Sequence, residues 1–335
     1  DAGYQAYGVG KLHLQPTGKR FGFDHQELAD APMDPDNAYV RWLRERFGVV
    51  SVNRRGAGRV APQRLPYFGE AAMGALEGVE QMILVGAAAP VAFFAYPGKP
   101  GWLAPEDCAI LTLATVDEDP AAALEAVADR IGASGAPEVV PAAPETPVPA
   151  GPLTPVAIGQ SLVRSLPEEA IVVDEAATCG MGIFPATLQA PRHDWLTLTG
   201  GAIGYGLPAA LGAAIACPDR KVVALQADGS AMYTIQALWT MARENADVTV
   251  VIMNNRSYAI LNIELARVRA GQPSPRTLSM LDLSNPNLDF VSLAEGMGVT
   301  ATRARSAEEF DAQLAEAMGR PGPRLIEAMV VQQMP

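Results

Sequence analysis

Two short polar segments in the C-terminal half of the chain carry residue types that can hold a divalent cation against a diphosphate. Asp228, Gly229 and Ser230 form the first segment, and Asn254 and Asn255 form the second. Carboxylate and amide oxygens are suitable ligands for Mg²⁺. Gly229 lets a diphosphate approach the backbone, and the N–H groups from Ser230 onward lead towards a helix N-terminus, which favours anions.

The two polar segments follow two apolar runs that predict neighbouring strands. Val222–Leu225 precedes Asp228, and Val248–Met253 precedes Asn255, with one helical pattern between the runs. A crossover of that length makes the strands parallel, so their carboxyl ends share one sheet edge, about 4.8 Å apart. One Mg²⁺ ion can then bridge the Asp228 carboxylate and the Asn255 amide oxygen.

Turn formation is the alternative explanation for both segments, because Asp-Gly and Asn-Asn are common turn sequences. For either dipeptide alone the turn is the better interpretation. Their occurrence at the ends of consecutive strands favours the metal site.

Residues 153–332 alternate between apolar runs and helical periodicity. Strands are predicted at Ala170–Val173, Trp195–Leu198, Val222–Leu225, Val248–Met253, Thr300–Arg303 and Leu325–Val331. Helices are predicted near residues 155–166, 204–216, 234–244, 288–297 and 307–318. This order predicts an α/β fold with a doubly wound parallel sheet, in which ligands bind beyond the carboxyl ends of the strands.

A Pro- and Ala-rich linker at residues 134–152 separates this domain from the preceding sequence. Residues 49–133 are predicted to be part of an α/β middle domain, with helices at Ala71–Leu76 and Pro120–Ile131 and strands at Gln81–Val85 and Ala109–Leu113. Two strands and two helices make a thin sheet. Residues 1–48 form a further segment.

Composition narrows the classes of partner. The 335 residues are 49% hydrophobic, and 37 acidic against 25 basic residues give a net charge of -12, which disfavours nucleic acid and anionic membranes. Apolar stretches fall short of the roughly 20 residues that span a bilayer. Cys108, Cys179 and Cys217 lack paired spacing, which predicts a reducing compartment, the cytoplasm, and no zinc site.

The paired polar segments resemble the signature of thiamine-diphosphate-dependent enzymes, in which Gly-Asp-Gly is followed at this distance by Asn-Asn. Ala227 replaces the first glycine. The resemblance implies that the cofactors are thiamine diphosphate and Mg²⁺. It further implies that Asp228 and Asn255 are metal ligands, with the main-chain carbonyl of Ser257 as a third.

Two further segments are similar to this family. Thr199–Pro208 resembles the stretch that lies along the cofactor, with Gly201 and Ala202 beside it and Ile203 in the position that bends its two rings into a V. Thr178, after the first predicted strand, matches a diphosphate loop and is implied as a phosphate donor. Close packing of a helix on a sheet explains a glycine-rich pattern equally well.

Over residues 50–332 the chain resembles acetolactate synthase large subunits, which implies decarboxylation or carboligation of a small 2-oxo acid. In this family a glutamate from a pyrimidine-binding domain activates the cofactor. No catalytic residue can be assigned here. The expected partner is therefore a second copy of the chain or a separate pyrimidine-binding chain. The alternative is a non-catalytic cofactor-binding subunit.

Residues 1–48 resemble a different family, the sulfatases and phosphonate monoester hydrolases. Lys11 and His13 match residues that contact the sulfate or phosphate group there. The nucleophile and the metal-binding aspartates have no counterpart, so ordinary exposed residues are the better interpretation. The change of family predicts a junction near residues 47–52, and ester hydrolysis is a remote alternative function.

Overall fold

The computed structural model describes residues 64–132, 146–268 and 272–331, together with the backbone of three short earlier strands. These are β1 (Tyr7–Gly10), β2 (His25–Leu28) and β3 (Val50–Val52), and β1 pairs with β2 in parallel. The positions Lys11 and His13 lie outside the described residues.

The chain divides into two compact units. The larger unit comprises Asp1–Ala61, Val139–Asn262 and Ser274–Pro335, and the smaller comprises Pro62–Glu138 and Ile263–Pro273. The domain boundaries expected from the sequence stay predictions.

The smaller unit contains a parallel pair of strands flanked by helices. Its elements are α1 (Gly69–Ala75), β4 (Gln81–Val85), β5 (Ala109–Ala114) and α2 (Pro120–Ile131). The Asp119 side chain accepts hydrogen bonds from the N–H groups of Ala121 and Ala122, and Pro120 occupies the first turn, so α2 begins where the sequence predicts.

From residue 155 onward the larger unit alternates strands and helices, and its helix Ala259–Arg267 continues into the smaller unit from Ile263. Its elements are α3 (Pro155–Ser165), β6 (Ala170–Glu175), α4 (Ile183–Thr187), β7 (His193–Thr197), α5 (Gly206–Ala216), β8 (Val222–Ala227), α6 (Asp228–Ala231), α7 (Ala237–Arg243), β9 (Val248–Asn254), α8 (Ala259–Arg267), α9 (Pro275–Leu281), α10 (Phe290–Gly296), β10 (Thr300–Ala304), α11 (Ala307–Met318) and β11 (Arg324–Met329). Among the described residues, no helix has the length and apolar content needed to cross a membrane.

Seven strands of the larger unit form one sheet in the order β10-β11-β9-β8-β6-β7-β3. The pairs from β10 to β7 are parallel, and β3 joins β7 as an antiparallel edge strand. The prediction of a doubly wound parallel sheet is confirmed. Strand order reverses beside β6, because β7 lies on one side of it and β8 on the other. Ligands bind at such reversal points, beyond the carboxyl ends of the strands.

Both faces of the sheet are covered, which explains why its strands are almost continuously apolar. Along β6 the side chains alternate between two buried clusters: Val172 packs in one, and Ile171 and Val173 pack in the other. The first cluster includes Ile158 of α3, and the second includes Leu207 of α5.

One local expectation from the sequence is wrong. The sequence predicts a strand that starts at Trp195, but β7 already includes His193 and Asp194. His193 pairs with Ala170 in the sheet, and the Asp194 carboxylate accepts a hydrogen bond from Arg220 at 2.7 Å. Contacts with distant residues therefore extend the strand through two polar positions.

Two helices, α8 and α9, were not predicted. Only Ala259 is buried in α8, and no residue of α9 is buried. Neither helix therefore shows the apolar stripe on which a helix prediction depends. The start of α9 had a local signal, since the Ser274 hydroxyl accepts from the Thr277 N–H and Pro275 follows the cap.

Gly159 in α3 provides a test of packing against α4. A Cβ atom at Gly159 would lie 2.7 Å from the Cβ of Ala186. We expect Gly159→Ala to lower the free energy of unfolding, because overpacking costs about 1–3 kcal/mol while the gain in helix propensity is about 1 kcal/mol. The measurement is the thermal midpoint.

Gly296→Ala is the matched control, because the described atoms leave the space at that helical, exposed position open. This control should be neutral or slightly stabilising. A midpoint for Gly159→Ala equal to that of Gly296→Ala would contradict the packing described for α3 and α4.

Candidate functional site

The sheet brings the two polar segments together at one edge. β8 and β9 pair in parallel with Ala227 opposite Met253, so Asp228 and Asn254 occupy adjacent strand ends. The Arg256 N–H donates a hydrogen bond of 2.7 Å to Asp228 Oδ2. This contact joins the two segments directly.

The Asp228 carboxylate is the most constrained group of the site. It is 2% exposed, and its Oδ1 accepts a hydrogen bond from the Gly229 N–H at 2.8 Å. Burial raises the pKa of Asp228 to about 6, although backbone N–H groups, including those of Gly229 and Arg256, oppose that rise. Among the described residues no cationic side chain forms an ion pair with it. A divalent cation bound here would supply the missing positive charge.

The loop after β9 presents oxygen atoms near this carboxylate. Asn255 Oδ1 accepts a hydrogen bond from the Ser257 N–H at 3.0 Å, and an amide oxygen has a second lone pair for a metal. Arg256 has φ +58°, the left-handed conformation. The Tyr258 N–H donates to the Leu281 carbonyl at 3.0 Å, so the segment before β10 supports the loop.

Asn254 has a different role from its neighbour. Its Nδ2 donates to the buried Glu327 Oε1 at 2.7 Å, and its Oδ1 accepts from the Arg256 N–H at 3.1 Å. Arg303 pairs with Glu327 at 2.8 Å and with Asp289 at 2.7 Å. Both polar ends of Asn254 are therefore occupied within the protein, which leaves Asn255 as the amide available to a ligand.

Gly229 and Ser230 are both buried in α6. A Cβ atom at Gly229 would collide with the ring of Tyr258, so the close approach of these two residues requires glycine. Ser230 Oγ accepts from Gln226 Nε2 at 2.6 Å and donates to the Ala227 carbonyl at 3.2 Å. The hydroxyl of Ser230 is thus used inside the fold.

The glycine-rich segment forms an irregular turn before α5. Gly200, Gly201 and Gly204 have φ values of +62°, +66° and +92°, which favour glycine. Between them Ala202 is exposed and the Ile203 side chain is 44% exposed. The apolar Ile203 side chain is therefore exposed on a turn that contains three glycines in the left-handed conformation.

Thr178 lies in a 3₁₀ turn, Ala177–Gly180, that directly follows β6, and its side chain is half-buried. Glu175 at the end of β6 pairs with Gln226 of β8, so the turn that carries Thr178 and the one that carries Asp228 leave the sheet side by side. The structure therefore brings the predicted residues from the loops after β6, β7, β8 and β9 to one edge.

Glu175 was not predicted as a site residue. It is 1% exposed, and its carboxylate accepts hydrogen bonds from the backbone N–H groups of Gly204, at 2.5 Å, and Gly206. A charged residue at the carboxyl end of an apolar strand was the sequence signal, since such residues are rarely buried without partners. Its partners lie beyond the next strand and could not be identified from spacing.

The chemistry of the donor set favours a hard cation. Within residues 64–132, 146–268 and 272–331, no cluster of three or more His, Cys, Asp or Glu side chains is arranged to hold a metal. A metal at this edge would be held by one carboxylate together with amide and carbonyl oxygens, the ligands that suit Mg²⁺.

Cys179 lies in the 3₁₀ turn after β6 and is expected to be unreactive. Burial, and to a smaller extent the Asp228 charge, raise the pKa of the Cys179 thiol to about 12. A raised pKa favours the neutral thiol, so at pH 8 about one molecule in 10⁴ carries the thiolate that alkylating agents need. We expect iodoacetamide to modify half-buried Cys108 and Cys217 before Cys179 in the folded protein.

Peptide mapping by mass spectrometry after brief alkylation measures the three rates, and labelling in urea is the control in which all three should react. Equal modification of Cys179 and Cys108 in the folded protein would contradict the environment described for Cys179.

Comparison with known proteins agrees with this geometry. Residues 178–328 match the family model of the C-terminal TPP-binding domain of thiamine pyrophosphate enzymes. The acetolactate synthase large subunit-like protein IlvX of Mycobacterium tuberculosis is 53% identical over 293 residues, which cover 87% of this chain and 56% of that protein. Benzoylformate decarboxylase of Pseudomonas aeruginosa is 33% identical over 211 residues, which cover 62% of this chain and 39% of the decarboxylase.

A solved structure shares both the fold and recognisable sequence. The thiamine diphosphate-dependent 4-hydroxybenzoylformate decarboxylase of Rhodococcus jostii RHA1 superposes with a TM-score of 0.63 at 29% identity, covering 80% of this chain and 52% of that chain. The chain thus spans about half the length of these relatives. On these matches the chain falls within the thiamine-diphosphate-dependent, acetolactate synthase-like family.

Proposed function

We propose that this chain binds Mg²⁺ and thiamine diphosphate at the carboxyl edge of its sheet. The metal ligands are the Asp228 carboxylate, the Asn255 amide oxygen and the main-chain carbonyl of Ser257. The observation that carries the proposal is the buried Asp228 carboxylate, which contacts the loop after β9 and has no cationic partner among the described residues. Burying a carboxylate without a compensating charge is costly, and a bound cation removes that cost.

The diphosphate would lie between the metal and the surrounding turns. Thr178, in the turn after β6, would donate its hydroxyl to a phosphate oxygen. Gly229 and Ser230 would contribute through their backbone, since Gly229 has no side chain and the Ser230 hydroxyl is already bonded within the fold.

The ring end of the cofactor would lie along the glycine-rich turn. Gly201 and Ala202 offer backbone and a small side chain, and Ile203 offers an exposed apolar surface. When bound, thiamine diphosphate supplies the electron sink that stabilises a carbanion derived from the substrate. The residues named here would hold the cofactor, orient its rings and exclude water from one side of them.

The reaction class that we propose is decarboxylation or carboligation of a small 2-oxo acid. The names of the relatives support it, since they include an acetolactate synthase-like protein and two decarboxylases of aromatic 2-oxo acids. A homo-oligomeric assembly follows by analogy with such enzymes, and the cytoplasm stays the expected compartment. Hydrolysis of sulfate or phosphonate esters gains no support from these relatives.

We further propose that these 335 residues bind the cofactor without supplying its activating glutamate. Among the described residues the buried glutamates are Glu175, at the end of β6, and Glu327, within β11, and the carboxylate of each is hydrogen-bonded within the protein. Turnover would then require a pyrimidine-binding segment, either in a longer polypeptide or in a separate chain. A non-catalytic cofactor-binding subunit is the second candidate function. It is favoured by the same observation, that both buried glutamates are already hydrogen-bonded within the protein.

Asp228→Ala tests the metal site. We expect the variant to lose more than about tenfold in affinity for thiamine diphosphate with Mg²⁺, because removal of even supporting groups around a metal costs tenfold or more. Isothermal titration calorimetry at fixed Mg²⁺ measures the effect. Asp117→Asn, at an exposed carboxylate of the smaller unit, is the matched control. Binding by Asp228→Ala that equals binding by the control would rule out the metal assignment.

An assay of decarboxylation distinguishes the two candidate functions, an enzyme and a non-catalytic cofactor-binding subunit. With thiamine diphosphate and Mg²⁺, we expect the pure 335-residue chain to release no CO₂ from pyruvate or benzoylformate above the rate without protein. Addition of the part of the Mycobacterium tuberculosis relative that this chain does not match should restore release if the chain is half of an enzyme. Decarboxylation by the pure chain would refute the need for a second segment.

A further inference from the structure

Glu175 is a buried carboxylate whose two oxygens are bonded to one short stretch of backbone. Oε1 accepts the Gly204 N–H at 2.5 Å, and Oε2 accepts the Gly206 N–H. Gly206 is the first residue of the eleven-residue helix α5. A carboxylate at a helix N-terminus is stabilised by the free N–H groups and by the helix dipole. These contacts account for its burial without a cation.

The same stretch of backbone is bonded on its other side. Thr234 precedes α7, and its hydroxyl donates a hydrogen bond of 2.9 Å to the Gly204 carbonyl. A Cβ atom at Gly204 would lie 2.9 Å from the Cβ of Tyr233, so Gly204 is enclosed by its neighbours as well as bonded to them. Two elements that are distant in sequence therefore fix both polar groups of Gly204.

Ile203 lies directly before this doubly bonded residue. Its own side chain is 44% exposed, and in the proposed function it contacts the ring end of the cofactor. The Ile203 carbonyl carbon and the Gly204 nitrogen belong to one planar peptide. That peptide plane also contains the Ile203 Cα atom. Hydrogen bonds that hold the Gly204 N–H in place therefore also hold the Cα atom that carries the Ile203 side chain.

Helix capping alone does not explain the choice of glutamate. A single neutral acceptor such as Ser or Asn is enough to cap a helix, and it avoids the cost of burying a charge. The Glu175 carboxylate instead accepts hydrogen bonds from the N–H groups of both Gly204 and Gly206, the two residues that flank Tyr205. A Cβ atom at Gly206 would overlap Gln226 Oε1 and approach Glu175 Oε2 at 2.9 Å, so the backbone lies directly against the carboxylate.

We propose that Glu175, together with Thr234, is a positioning residue that sets the location of Ile203 against the cofactor rings. The inference rests on the proposed function. It predicts that Glu175 contributes to binding of the ring end of thiamine diphosphate and contributes nothing to binding of its diphosphate end, because its contacts lie on the turn that carries Ile203.

Glu175→Gln tests the inference with little change in volume. Glutamine keeps one acceptor oxygen but presents an NH₂ group to the second backbone N–H, so one of the two bonds is lost. In the presence of Mg²⁺ we expect affinity for thiamine diphosphate to fall by about tenfold, the effect of a hydrogen bond to a charged group. Affinity for inorganic diphosphate should stay unchanged. Glu316→Gln, at an exposed carboxylate of α11, is the matched control.

A double-mutant cycle distinguishes positioning from general stabilisation. If Glu175 acts through Ile203, Glu175→Gln should have no further effect on thiamine diphosphate affinity once Ile203→Ala is present. Additive losses would overturn the inference, as would equal weakening of both ligands by Glu175→Gln. Thr234→Val removes the hydroxyl and keeps the shape, so it should also weaken binding of thiamine diphosphate and leave binding of inorganic diphosphate unchanged. This variant tests the inference if Glu175→Gln does not fold.

The outcomes separate this inference from the proposed function. A wild-type chain that binds neither thiamine diphosphate nor inorganic diphosphate with Mg²⁺ overturns both. A wild-type chain that binds both ligands, with unselective loss in Glu175→Gln and Thr234→Val, overturns only the role of Glu175.

Discussion

The hydrogen bond between the Arg256 N–H and the Asp228 carboxylate is the contact on which the arrangement of the site depends. It connects the end of β8 to the loop after β9, in which Arg256 adopts the left-handed backbone conformation. The parallel register of the two strands places its partners side by side. A shift of this register by one residue would turn the side chains to the opposite face and separate the two segments.

A series of partly buried polar contacts supports the loop after β9. Arg303 pairs with Glu327, Glu327 accepts from Asn254, and Asn254 accepts from the same Arg256 N–H that contacts Asp228. Buried ion pairs contribute little net stability, but a charge left without its partner is strongly destabilising. Such a network tolerates few alternative geometries, which favours a loop that already has its shape before any ligand binds. Preorganised ligands bind a metal without paying to order the loop.

Two buried glutamates, on strands to either side of β8 and β9, each orient a neighbouring group at this edge. Glu327 on β11 orients Asn254, and Glu175 on β6 orients the turn before α5. Neither presents its carboxylate to a ligand, since each is about 1% exposed and hydrogen-bonded within the protein. Among the described residues, Asp228 is thus the buried carboxylate at this edge that is left for the proposed cation, and Glu175 and Glu327 orient the neighbouring groups.

The sequence by itself determined the parallel sheet and the positions of the two polar segments, because apolar run length and crossover length are local properties of the chain. Only the tertiary structure decided which side chains are available. It bonded Asn254 to a residue 73 positions away and left Asn255 facing the loop. It turned the Ser230 hydroxyl inward and buried Glu175 against glycines 29 and 31 positions away. Hydrogen bonds between distant residues depend on how strands and helices pack, and residue spacing does not encode that packing.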